Sequence, residues 1–234
     1  KNWHDTNVTI SKECPWLEDS YDAMLVAEKL SIPFQVIDLS KDYKKNIVDY
    51  MFEEYKKGRT PNPDILCNKE IKFDLFLDIA VSLGADYIAT GHYAQIQKSK
   101  KNSEYTYHLN AGKDKSKDQS YFLCQLNQFQ LSKTIFPIGN ISKKEVRKIA
   151  KENHLITADK KDSQGLCFIG KVKLPDFLQQ SLKAKNGDVV LIDKSFYVNE
   201  NKILENDIDI SSQQIKYNKT DGEIIGNHKG AHFY

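Results

Sequence analysis

Two cysteine-bearing stretches carry residue types suited to chemistry. TPNPDILCNKEIKF, residues 60–73, sets Pro61, Pro63, Asp64 and Cys67 within eight positions. Each proline fixes a φ angle and pushes the residue before it toward extended backbone. The segment therefore reaches the following helix already ordered. Asn68 reads as the N-cap of a helix through EIKFDLFLDIAVSL, which would set Cys67 beside amides that favour a thiolate. Asp64 is close enough in sequence to serve that thiol as acid or base. A proline-stiffened turn with a buried cysteine and a capping acid is the plain structural alternative.

GLCFIG, residues 165–170, holds Cys167 between Gly165 and Gly170 on a loop. Cys67 and Cys167 together would suit a two-thiol mechanism, and two unrelated thiols are the alternative. Cys124 in YFLCQL reads as core, and so does Cys14 beside Pro15 and Trp16. There is no C-x-x-C pair and no zinc-finger spacing, so no structural metal is expected. A metal site drawn from Cys67, Cys167 and His92 stands as a third reading. In ATGHYA, residues 89–94, Gly91 would permit close backbone approach to a ligand, and His92 would project a polar ring at the sheet edge. SKDQSYF offers Lys117 to a phosphate, while Asp118, Gln119 and Ser120 could cap the next helix. A solvated lysine loop is the plain alternative there.

These residues need elements to position them. Asp19 and Ser20 offer an N-cap for a helix through YDAMLVAEKL, and PFQVIDL reads as a buried strand. KDYKKNIVDYMFEEYKKG reads as an amphipathic helix closed by Gly58. DYIAT is a short apolar strand ending in the polar turn GHY. Helices alternating with short strands predict an α/β fold with a parallel sheet, whose ligands sit at the carboxyl ends of the strands. YTYHLNAG reads as an edge or hairpin strand, and YFLCQLNQFQL as a helix or helix pair. Ser142 and Glu145 form a capping box for ISKKEVRKIAKENHL. LPDFLQQSL follows as a short helix with Pro175 in its first turn. From Asn186 onward GDVVLID, SFYVNENKIL and EIIGNHKGAHFY read as strands. This divides the chain into an α/β region at 1–130, a helical linking region with the second cysteine at 131–184, and the start of a β-rich region at 185–234.

The 234 residues are 40% hydrophobic and 28% charged, an ordinary globular balance. No run approaches the ~20 apolar residues of a spanning helix, and no membrane association is expected. Without a secretory signal the thiols read as reduced and the location as cytoplasmic. Net charge is only +2, which does not by itself imply nucleic acid. Arg59 and Arg147 are the only arginines, so bidentate phosphate forks are scarce.

Taken together, KNW at 1–3, GRTPNPDILCNKEIKF at 58–73, GADYIATGHYA at 84–94, KDQSYFL at 117–123, KKDSQGLCFIG at 160–170 and GNHKGAHFY at 226–234 resemble the tRNA-specific 2-thiouridylase family (MnmA/TrmU type). They occur in that family's order and cover most of the chain. The resemblance implies that 1–130 is a partial PP-loop type adenine-nucleotide-binding and catalytic domain of an ATP-dependent enzyme, with Mg2+ accompanying the nucleotide. Its reaction replaces the 2-oxygen of a wobble uridine in tRNA with sulfur, supplied by a persulfide-donating sulfur carrier or a cysteine desulfurase. By the same resemblance Cys67 is the nucleophile, Cys167 carries the persulfide, and the two end as a disulfide. Asp64 matches the acid/base; Asn62, Pro63 and Asp64 match the segment facing the target base. Gly91 matches an ATP contact, His92 a tRNA contact, and Lys117, Asp118 and Gln119 a tRNA-interacting run. The family's SGG-x-DS phosphate loop and C-terminal barrel have no counterpart here, so the chain is expected to be a partial one, and a non-catalytic tRNA- or nucleotide-binding module is the alternative function.

Overall fold

The computed structural model describes residues 15–161, 174–179, 182–196 and 216–230. The chain divides into two compact units, Lys1–Phe177 and Leu178–Tyr234.

In the first unit, helix α1 (Pro15–Lys29) begins ahead of the Asp19–Ser20 cap read from the sequence. Pro33 to Leu39, expected as a strand, forms no ladder with the described residues. Leu30, Ile32, Phe34 and Val36 alternate as a strand would, yet stand 41–54% exposed. An extended segment becomes a strand only when a neighbour takes its N–H and C=O groups. One continuous helix follows, made of α2 (Ser40–Tyr43), a π-helical stretch (Lys44–Val48) and α3 (Asp49–Lys56). It buries Tyr43, Ile47, Val48 and Met51 on one face and ends at Gly58, whose φ of +73° is the left-handed conformation glycine tolerates.

A second continuous helix carries α4 (Pro63–Leu66), a π-helical stretch (Cys67–Leu75) and α5 (Phe76–Ser82). Strand β1 (Ile88–Ala89) pairs in parallel with β4 (Thr134–Ile135), so the expected mixed α/β layering with parallel pairing is present. Between them lie the antiparallel hairpin β2 (Ala94–Lys101) and β3 (Glu104–Ala111), a 3-10 turn (Ser120–Leu123) and α6 (Gln128–Ser132). The core joins Phe73 and Leu77 of the second helix to Ile88, Ala94, Leu123 and Phe136. Full burial of a ring such as Phe73 contributes roughly 2–3 kcal/mol. Helix α7 (Lys143–Glu152) has the predicted capping box: Ser142 Oγ accepts from Glu145 N, and the Glu145 carboxylate accepts from Ser142 N.

Helix α8 (Leu174–Gln179) stands at the unit boundary. The second unit pairs β5 (Gly187–Leu191) antiparallel with β6 (Glu223–His228). Ser195 and Phe196, read as the start of a strand, belong to a helical turn over 194–196 instead.

Candidate active site

Asn62, not Asn68, caps the helix that carries Cys67. The Asn62 side chain accepts from Asp64 N at 3.1 Å and Ile65 N at 3.2 Å, and Pro63 takes the first helical position, where its missing N–H costs nothing. Cys67 therefore lies a full turn inside the helix. The dipole argument for a depressed thiol pKa loses most of its force, because the effect fades beyond the first turn. Asp64 and Cys67, three apart, share one helix face. Asp64 is half-buried and Cys67 only 1% exposed. The turn leading into this segment is held from the other side: Arg59 Nη2 donates to Glu54 Oε1 at 2.5 Å and Arg59 Nε to Glu54 Oε2. That guanidinium keeps the Glu54 carboxyl below its ordinary pKa. One of the two arginines is thus a structural clamp.

Three of the sequence motifs converge. The ring of His92 packs against Phe73 of the Cys67-bearing helix, with centroids 5.8 Å apart, and against Phe136 at 5.9 Å. Its Nδ1 lies 2.8 Å from Thr90 Oγ1. His92 is buried rather than projecting at the sheet edge, and burial, with Lys72 adding to it, pushes its pKa down to about 4. The 117–123 run is stitched to this centre by two ties. Gln119 Oε1 accepts from Tyr93 N at 3.1 Å, and Gln119 N donates to Tyr93 O at the same distance. Asn68 Nδ2 donates to Phe122 O at 3.2 Å, while Asn68 Oδ1 is buried with no hydrogen-bond partner among the described residues.

Asp118 stands one residue before Gln119, the N-cap of the 3-10 turn, which makes no side-chain capping bond. Its carboxylate accepts from Ser120 N and Ser120 Oγ, and from Gly112 N at 3.0 Å, which together hold its pKa below the ordinary value despite partial desolvation. Lys117 is exposed. Gly91 lies at the carboxyl end of β1, where a Cβ would meet only Ile138 Cδ1 at 3.9 Å. A side-chain methyl at this position would thus meet only ordinary van der Waals contact. Cys124 is exposed, contrary to the core reading, because the short 3-10 turn points it outward while burying Leu123. Cys167 and Cys14 fall outside the described residues, so the pairing of Cys67 with Cys167 has no geometry here. Among the described residues no group of three or more His, Cys, Asp and Glu could hold a metal ion.

The sequence reading missed Thr90 as the partner of His92 and the Asn68 tie. A threonine two residues before a strand-end histidine was the available signal for the first.

A family model described as the tRNA methyl transferase HUP domain matches residues 1–171. The chain belongs to that family. Among curated HUP-domain relatives, a tRNA-specific 2-thiouridylase MnmA of Christiangramia forsetii is 60% identical over 243 residues, spanning 100% of this chain and 60% of its own length. A protein of the same name from Flavobacterium johnsoniae is 62% identical over 239 residues, with 100% and 60% covered. One from Karelsulcia muelleri is 50% identical over 222 residues, with 95% and 57% covered. The chain thus spans about 60% of the length of these curated relatives, and the resemblance read from the motifs is borne out.

Proposed function

We propose that this protein thiolates tRNA, transferring sulfur to C2 of a wobble uridine at the expense of ATP. The observation that carries the reading is the identity of 60% or more, across the whole chain, to proteins named tRNA-specific 2-thiouridylase. The convergence of the 60–73, 88–94 and 117–123 motifs on one centre supports it. No helix among the described residues is long and apolar enough to cross a membrane.

Bound ATP would supply the leaving group: the uracil O2 would take its AMP moiety as pyrophosphate departs, because the oxygen departs poorly on its own and AMP departs well. Gly91, open at the end of β1, is the residue of this chain that would face the nucleotide; Mg2+ would travel with its phosphates. Asn62, Pro63 and Asp64 face the target base, with Asp64 as acid/base. His92 stays neutral and acts from beneath, its ring shaping the floor on which tRNA-facing groups rest. Lys117, Asp118 and Gln119 contact the tRNA; the side chains of Asp118 and Gln119 also hold the loop in place.

The sulfur chemistry balances through the two thiols. The outer sulfur of a Cys167 persulfide attacks C2, forming the C–S bond as AMP leaves. The Cys67 thiolate attacks Cys167 Sγ and breaks the S–S bond, either before or after the C–S bond forms. The electron pair of that bond stays on the transferred sulfur, and Cys67 and Cys167 are oxidised to a disulfide. A cellular thiol reductant must then reopen it, and a sulfur carrier or cysteine desulfurase must reload Cys167.

The test incubates the purified protein with ATP, a persulfide donor and an unmodified tRNA transcript, and measures 2-thiouridine by mass spectrometry of the digested RNA. Wild type should form it and Cys67→Ser should not. Full thiolation by Cys67→Ser would sink the mechanism.

A further inference from the structure

Helix α1 carries two carboxylates that the candidate site does not use. The sequence marked Asp19 as a helix cap, but α1 starts at Pro15 and leaves Asp19 one turn inside. Asp19 and Asp22, three apart, share a helix face, where like charges repel. A lysine distant in sequence answers both. Lys160 Nζ donates to Asp19 Oδ1 at 2.8 Å and to Asp22 Oδ2 at 2.5 Å. The Asp22 side chain is only 23% exposed, and the two carboxylates hold the Lys160 pKa above the ordinary lysine value.

A second tie lies toward the other end of α1. Lys29 Nζ donates to His154 O at 2.9 Å, just past the end of α7. Asp22 and Lys29 stand roughly 10 Å apart along the helix axis. Residues 154–160 therefore run antiparallel to α1 and are tied to it at both ends. Other bonds of this stretch are local or return to α7: Ala158 N donates to Leu155 O, Lys160 N to Thr157 O, and Lys151 pairs with Asp159 at 2.7 Å. Lys160 also opens the KKDSQGLCFIG motif within two residues of its start, and Cys167 follows it by seven positions. Seven residues reach no further than ~25 Å, so a fixed root at Lys160 bounds the volume open to the Cys167 sulfur.

We propose that Lys160, held by Asp19 and Asp22, is a positioning residue for sulfur transfer. It fixes to α1 the chain from which Cys167 extends, and so raises the effective concentration of that sulfur at Cys67. The inference rests on the reading of this protein as a thiolating enzyme that uses these two thiols. Lys160 acts through the chain and not by contact with the reacting atoms.

The experiment equilibrates the full protein, in a Cys14→Ser/Cys124→Ser background, with mixtures of reduced and oxidised glutathione. The Cys67–Cys167 disulfide is counted by alkylation and mass spectrometry. In this exchange two protein thiols pass two electrons and two protons to one oxidised glutathione, releasing two reduced ones, and the equilibrium constant is an effective concentration. Lys160→Gln should lower it by about three- to tenfold, while Lys44→Gln, which removes the exposed pair with Asp49, should stay within about twofold. Lys160→Glu should lower it further, and adding Asp19→Lys and Asp22→Lys should restore it. In thiolation assays Lys160→Gln should lower kcat by a similar factor and leave the KM for tRNA unchanged. A Lys160→Gln constant equal to wild type, or a charge swap that folds and restores nothing, overturns the inference and leaves the thiolation reading intact. Wild-type protein that forms neither the disulfide nor 2-thiouridine overturns both.

Discussion

Wedged between Phe73 and Phe136, the His92 ring resists protonation, and that sets the sign of its contribution to stability. Its folded-state pKa, about 4, lies below the ordinary 6.5. The stability this represents is present above about pH 6.5 and is lost as pH falls toward 4. A shift of this size corresponds to roughly 3 kcal/mol. Denaturant midpoints at pH 7 and pH 4.5 should therefore separate more widely in wild type than in His92→Gln. Equal separation would show that another group governs the acid limb. Asn62 makes a second residue-scale case. Asn62→Ala removes the acceptor for two helix amides and should cost about 1 kcal/mol, whereas Asn62→Asp keeps an acceptor and should lose little. Urea titration of the three proteins reads the difference.

At the scale of elements, two glycines with opposite surroundings test which turns are filled. A Cβ on Gly139 would stand 1.7 Å from the carbonyl oxygen of Ala94, at the start of β2, so backbone must move to admit it. Gly139→Ala should cost roughly 2 kcal/mol or more and lower Tm accordingly. Gly91→Ala meets only ordinary contact and should leave stability within about 0.5 kcal/mol. If the nucleotide approaches that turn, the same variant should nonetheless bind ATP several-fold more weakly by calorimetry. Unchanged affinity would remove Gly91 from the nucleotide contact. Elements marked by local chemistry were legible in advance: the Ser142–Glu145 capping box and the Gly58 terminus depend on neighbours within a few residues. The segment 33–39 was misread because strand identity depends on a partner that periodicity does not reveal. The Asn68 cap was misread for a related reason, since Asn62 offered an equally good cap and Pro63 decided between them.

For the whole molecule, the motifs were readable but not their meeting. His92 reaches Phe73, Gln119 reaches Tyr93 and Asn68 reaches Phe122 across sequence separations of up to 54 residues, which no local pattern encodes. The family resemblance supplied roles for these residues without supplying contacts. Charge behaves similarly: a net charge of +2 does not reveal local pairs such as Lys44 with Asp49 and Lys56 with Glu53. Exposed pairs contribute little each and are screened by salt. Raising salt from about 0.05 to 0.5 M should therefore shift the unfolding free energy by less than about 1 kcal/mol. A larger loss in urea titrations would assign those pairs a role in holding the fold.

The outward-facing thiol of Cys124 has a practical consequence. It sits two residues past Phe122, whose carbonyl is held by the helix carrying Cys67, while Cys67 itself is shielded from solvent. In a variant with Cys14→Ser and Cys167→Ser, a maleimide dye applied to the folded protein thus discriminates between the two remaining sulfurs. Placed there, an environment-sensitive fluorophore would test optically, in real time, the proposed arrival of RNA at the 117–119 run.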